Sequence, residues 1–237
     1  MRIGLAASVA IFLANLLLVY FWTAWTLVLG TGVILFGLVF QRNWREGKGK
    51  FSGAQWLSLG LLVLAIVMLI FRGPVLELVA LPAEVAPSFI ATGKVAAGVY
   101  SEGLGSMFLG SGPGTFGLDW LRYKDVSVNQ TIFWNVRFNQ GSSFFSTLLA
   151  TTGFLGALSF LAFLGAALLL FLKRRLSAEE KMGAIQEGVL LGFVALAILS
   201  FLYPANVTSL LALFLFTGLG LTLFGRKEEQ DSAAGVR

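Results

Sequence analysis

Long apolar runs dominate this chain and leave it few ways to fold. Residues 3–40, 54–71, 144–172, 184–203 and 207–224 hold a single charged side chain between them, Glu187. A helix needs about 20 consecutive apolar residues, with a range of roughly 17–25, to cross the hydrocarbon core of a bilayer. Residues 3–40 are too long for one crossing and suit two, with the break near residues 22–25, where Trp22 and Trp25 favour an interface. The N-terminal run resembles a signal peptide at its start. It continues to Phe40 without a small-residue cleavage site, however, and reads as membrane-spanning. The expected fold class is all-α: a polytopic transmembrane bundle of about six spans. Only 12% of residues are charged and 57% are hydrophobic, against about 25% charged in soluble domains, and the mean hydropathy is +0.84.

The charges between the runs orient them. Arg2 precedes the first run, Arg42, Arg45, Lys48 and Lys50 fill 41–50, Lys173, Arg174, Arg175 and Lys181 fill 173–183, and Arg226 and Lys227 open the tail. With six spans these clusters share one side, which the positive-inside bias makes cytoplasmic. Both termini then face the cytoplasm and residues 73–143 form a large extracytoplasmic loop between spans 3 and 4. The expected divisions are 1–72 for three spans, 73–143 for the loop, 144–224 for three more spans, and 225–237 for a short, charged, disordered tail. The net charge of +5 belongs to these topology signals and does not imply a nucleic-acid partner. The chain has no cysteine and no histidine, which removes thiolate chemistry and the commonest general base and metal ligand.

Residues 73–143 are where chemistry on something other than lipid belongs. Pro74, Pro82 and Pro87 break the segment up, and Ser88 is placed to cap a helix over 88–100. Gly103, Gly105, Gly110, Gly112 and Gly114 follow at a density that signals turns rather than regular structure. Trp120, Tyr123, Phe133 and Trp134 suit stacking on sugar faces or anchoring at an interface, anchoring being the simpler role.

The ordered strings GSGPGTF at 110–116, NQTIFWNVRF at 129–138 and SSFFSTLLATTGFLG at 142–156 resemble the O-antigen ligase/polymerase family of bacterial envelope glycosyltransferases. The loop and its flanks carry the resemblance, while residues 1–72 match in character alone. It implies a membrane protein of the cytoplasmic (inner) membrane whose partners are a polyprenyl-diphosphate-linked glycan, membrane lipid and an acceptor of unspecified kind, with no cofactor and no metal. Family members carry about a dozen spans, three of them after the loop, so this chain resembles the C-terminal half, with a partner subunit or further spans supplying the rest. The family's His-Asn pair lies eleven residues before the first glycine of a GxxG. Counting back from Gly153 places Ser142 and Ser143 there, and Thr151 stands where many members have glutamate. A truncated or catalytically altered member is the implied reading, and a non-catalytic glycan-lipid-binding subunit is its rival.

Transfer from a diphosphate-linked donor needs the leaving group held and neutralised, and the planar fork of arginine does this best. Arg137, in the WNVRF string seven residues before the fourth run, is the leading candidate, with Arg122 and Lys124 behind it; each suits an ordinary salt bridge equally well. Gly112 and Gly114 offer either a backbone anion nest or a tight reversal that packs the loop on helix ends. Asp119 and Asp125 are the general-base candidates, with Glu102 behind them, against the plain role of solvated loop acids. Ser142 and Ser143 suit sugar or phosphate binding but have no histidine to activate them.

Overall fold

The computed structural model describes residues 13–14, 22–45, 51–71, 85–177 and 183–234. Among them every regular element is helical, and the chain divides into two compact units, Met1–Glu84 and Val85–Arg237. Three helices are long and apolar enough to cross a membrane, over Thr23–Gln41, Phe144–Lys173 and Ile185–Leu202, and two shorter apolar helices cover Gln55–Ile70 and Val207–Leu223. The expected first span and the boundary at 72–73 lie outside the described residues.

In the first unit, α1 (Trp22–Arg45) and α2 (Gly53–Ile70) form an antiparallel hairpin. Trp25 packs with Ala65 and Met68 at one end. Gly32 faces Leu62 midway, where a Cβ would come within 3.0 Å of Cδ2, the close approach that small residues allow between helices. The other end is tied by polar contacts. Ser52 and Gln55 form a capping box at the start of α2, and the Asn43 amide donates to Ser52 Oγ at 2.8 Å and Gln55 Oε1 at 2.6 Å.

The second unit opens with α3 (Phe89–Ser101), which begins directly after Ser88, whose side chain accepts from the Ala91 amide. The glycine-rich stretch is more regular than its composition suggests. It holds α4 (Leu104–Leu109) and α5 (Phe116–Tyr123) on either side of the turn at 110–115, followed by a 3-10 turn at Val126–Gln130. The reason is burial. Phe116 and Trp120, four residues apart, pack with Val95, Ala96 and Ala150, so one helical face has a core to cover.

Next comes α6 (Phe144–Ser177), which is broken at Gly153, where φ is 63° and ψ is −163°. The break is sharp. Phe144 and Phe160 lie 16 positions apart, about 24 Å along a straight helix, yet their rings stand 5.2 Å apart. The two arms therefore fold toward each other in an elbow. The fourth expected span, 144–172, is long enough to include an interfacial or tilted first turn; in the structure the first arm is a separate element, and the long apolar stretch belongs to the second.

The second arm bundles with α7 (Ala184–Leu202) and α8 (Val207–Ala234). Phe171 meets Phe193 edge-on and seats over Gly220, and Phe216 seats over Gly192; any side chain at those glycines would displace a ring. The helix α8 continues to Ala234, where the tail was expected to be disordered. Extending an existing helix carries no nucleation cost, and Arg, Lys, Glu and Gln are good helix formers.

Candidate functional site

The elbow explains the GSGPGTF turn. In an unbroken helix the carbonyls of Leu149, Ala150 and Thr151 would accept from amides four residues on. The left-handed Gly153 turns the chain at this point, and α3 and the turn bring further donors to these carbonyls. The Tyr100 hydroxyl donates to Leu149 O at 2.7 Å, the Ser111 amide to Ala150 O at 3.4 Å, and the Gly112 amide to Thr151 O at 2.8 Å. Gly110, with φ of 72°, abuts the same place: a Cβ there would lie 2.3 Å from the Thr151 carbonyl carbon. Two left-handed glycines thus allow main chain to meet main chain. The amides of Gly110, Ser111, Gly112 and Thr115 are all engaged by protein carbonyls, so the turn acts as a clamp on α6.

Asp119 sits beneath this clamp and is 3% exposed. Its carboxylate accepts from the Ser111 hydroxyl and, at 3.1 Å, from Thr115 Oγ1, and the two hydroxyls are themselves 2.6 Å apart. Sequence reasoning missed these partners, although Ser111, Thr115 and Asp119 recur every four residues and the last two fall at the start of α5. Burial with two donors satisfies the carboxylate as a structural group.

Ser142 and Ser143 are buried at the start of α6. The Ser143 hydroxyl accepts from the Ser146 amide at 3.1 Å while Ser146 Oγ accepts from the Ser143 amide at 3.0 Å, a reciprocal cap on the first turn. Ser142 Oγ lies 3.1 Å from Ser146 Oγ, and the Ser142 amide donates to Thr92 on α3. The Phe144 amide donates to Tyr203 O at 3.0 Å, joining this end to the close of α7.

All but one of the remaining charges of residues 85–143 are engaged at the surface. Lys94 on α3 bridges Asp125, which also accepts from the Ser127 amide at 2.9 Å. The Lys94 ammonium, and then that amide, hold the Asp125 carboxyl well below the usual carboxylate range. Arg122 pairs with Glu102 at 3.4 Å, and the Tyr123 hydroxyl also donates to Glu102, which raises the tyrosine above its usual value. Lys124 donates to Trp134 O at 2.6 Å. Gly114, with φ of 78°, takes part in the reversal between Gly112 and α5.

Arg137 is different. It is exposed, and of the four cations in 85–143 it alone makes no hydrogen bond or ion pair with a described residue. Its position is defined nonetheless. The side chain lies over Gly117 on α5, where a Cβ would sit 2.9 Å from Arg137 Nε and 2.8 Å from Asn139 Oδ1. An unpaired guanidinium beside an amide, laid across a bare stretch of helix, is a ready receptor for a planar or tetrahedral oxyanion. Of the residues expected to act together, Arg137 thus stands apart from Arg122 and Lys124, which are occupied, and from Asp119, which is enclosed.

Compared with protein-family models, with curated proteins and with solved structures, the chain matches none.

Proposed function

We propose that this chain binds a polyprenyl-diphosphate-linked glycan at the outer face of the cytoplasmic membrane, as an O-antigen ligase/polymerase-like protein with altered catalysis. Arg137 is the residue that engages the diphosphate. One observation carries the reading: Arg137 is the cation of residues 85–143 whose guanidinium is not spent inside the protein. The apolar helices supply the membrane setting, and the three strings at 110–116, 129–138 and 142–156 supply the resemblance.

Binding is favoured over transfer by the state of the two acids. Asp125 is committed to Lys94 and the Ser127 amide, and Asp119 to two hydroxyls in a closed pocket of main chain. With Glu102 also held by Arg122 and Tyr123 and no histidine in the chain, no acid or imidazole of the described residues 85–143 stands free to take the proton of an acceptor hydroxyl, help typically worth 10²–10⁴-fold. Donor capture, with transfer slow or absent, is the role that follows.

The test is binding of a lipid-linked diphosphate to the reconstituted protein. Arg137→Lys keeps the charge but loses the bidentate fork, and an affinity loss of about tenfold, the equivalent of 1.4 kcal/mol, is expected. Arg122→Gln, whose parent residue is already paired, should bind like the parent. Equal affinity for Arg137→Lys and the parent removes Arg137 from the site. Robust glycan transfer that survives Asp119→Asn with Asp125→Asn removes the binding-only reading, and a cytoplasmic signal from a reporter fused near Val126 removes the outer-face reading.

A further inference from the structure

We propose that α4 and the Gly153 elbow seat on the surface of a lipid bilayer, so that the membrane-crossing part of α6 begins after Gly153. The proposal rests on the apolar second arm of α6 crossing a membrane and not on what Arg137 binds. At 34 residues, α6 is longer than one crossing requires, and its elbow rules out a straight passage of the whole helix. From the elbow to Lys173 is about 20 residues, or about 30 Å of helix, the thickness of the hydrocarbon core. Composition changes at the same point. Ser146, Thr147, Thr151 and Thr152 precede Gly153, whereas Ser159 is the sole hydroxyl between it and Lys173, where a run of three basic residues begins.

The main chain holds α4 at this boundary. The carbonyl group of Phe108 and the amide of Gly110 lie 2.5–2.6 Å from where a Cβ on Gly153 would be, and the Tyr100 ring stacks on Phe154 at 5.3 Å. No residue of α4 is charged. Its Leu104 and Leu109 are 73% and 66% exposed, Phe108 is also exposed, and beside them Phe154 and Leu155 open the exposed face of the second arm. Lipid covers that face wherever the arm crosses a bilayer, and the apolar surface of α4 continues it at the elbow. An uncharged, apolar short helix at the end of a span is suited to the boundary between headgroups and acyl chains. The contact holds the 110–115 turn at headgroup height.

The absence of native cysteine makes the test direct. Single variants Leu104→Cys, Phe108→Cys, Leu109→Cys and Gln130→Cys are labelled with an environment-sensitive fluorophore and reconstituted in vesicles of phosphatidylethanolamine and phosphatidylglycerol. Gln130 is an exposed polar residue of the 3-10 turn and serves as the aqueous reference. Labels at 104, 108 and 109 should emit to the blue of that at 130. Lipid nitroxides near the headgroup should quench them at least twofold more than they quench the label at 130, and nitroxides at the acyl terminus should quench them less. Support requires this pattern at two or more of the three positions. Fewer positions, or blue emission without lipid quenching, as a protein partner over α4 produces, overturns the proposal.

Discussion

Replacing Gly153 with alanine sets two costs against each other. At φ 63° and ψ −163° the residue occupies a region that is nearly glycine-only, which costs an alanine about 1–3 kcal/mol. Its Cβ would also lie 2.5 Å from the Phe108 carbonyl carbon and 2.6 Å from the Gly110 amide nitrogen. These are main-chain atoms that cannot swing aside, and overpacking of this kind adds typically 1–3 kcal/mol. Keeping the elbow therefore costs about 2–6 kcal/mol. Straightening α6 forfeits the bonds from Tyr100, Ser111 and Gly112, each worth about 0.5–1.5 kcal/mol net, but restores helical bonds in their place. Alanine also gains about 1 kcal/mol over glycine inside a helix. Straightening is the cheaper outcome, and it carries Phe144 away from Phe160 and releases α6 from the clamp. The assay is dipolar broadening between spin labels on Phe144→Cys and Phe160→Cys. With Gly153 present the labels should broaden each other strongly; with Gly153→Ala the coupling should vanish as the separation approaches about 24 Å. Undiminished broadening together with parental thermal stability would refute the reasoning, because the elbow would then not depend on glycine.

Three further outcomes follow from the surroundings of the site. Gly117→Ala places a Cβ against Arg137 Nε and Asn139 Oδ1 while improving helix propensity by up to about 1 kcal/mol, so donor binding should fall while the melting temperature holds or rises; a fall in both would mean that Gly117 serves packing. Asp119→Ala removes the acceptor that the Ser111 and Thr115 hydroxyls share, while Thr115 keeps the Gly112 carbonyl at 2.6 Å; it should destabilise the second unit by about 0.5–1.5 kcal/mol, read by thermal unfolding in detergent, with Asp119→Asn losing less. The third concerns pH. Because the folded Asp125 carboxyl lies below its unfolded value, its pairing stabilises the fold above about pH 4 and is lost as pH falls through the folded value. Lys94→Gln should therefore be less stable than the parent at neutral pH, with the difference shrinking in acid; a difference that grows in acid contradicts the pairing.

Much of the secondary structure was legible because it is written locally. The edges of the apolar runs place α2, α7 and the start of α8 to within a residue or two, since a helix in lipid needs only length and hydrophobicity. Ser88 marks the start of α3 through a bond to an amide three residues away.

What the linear order could not supply is which groups meet. Lys94 and Asp125 are 31 positions apart, Ser111 and the Ala150 carbonyl 39, and Tyr100 and Leu149 49; only the path of the chain joins them. Composition made 144–172 one apolar stretch, because glycine is as compatible with a membrane helix as with a break in it. Gly153 became an elbow through tertiary contact, since Tyr100, Ser111 and Gly112 arrive to bond the carbonyls just before it. The same contacts decided the fate of each charge. Burial enclosed Asp119 and proximity paired Arg122, while Arg137, folded over the bare face of Gly117, was left without a described partner.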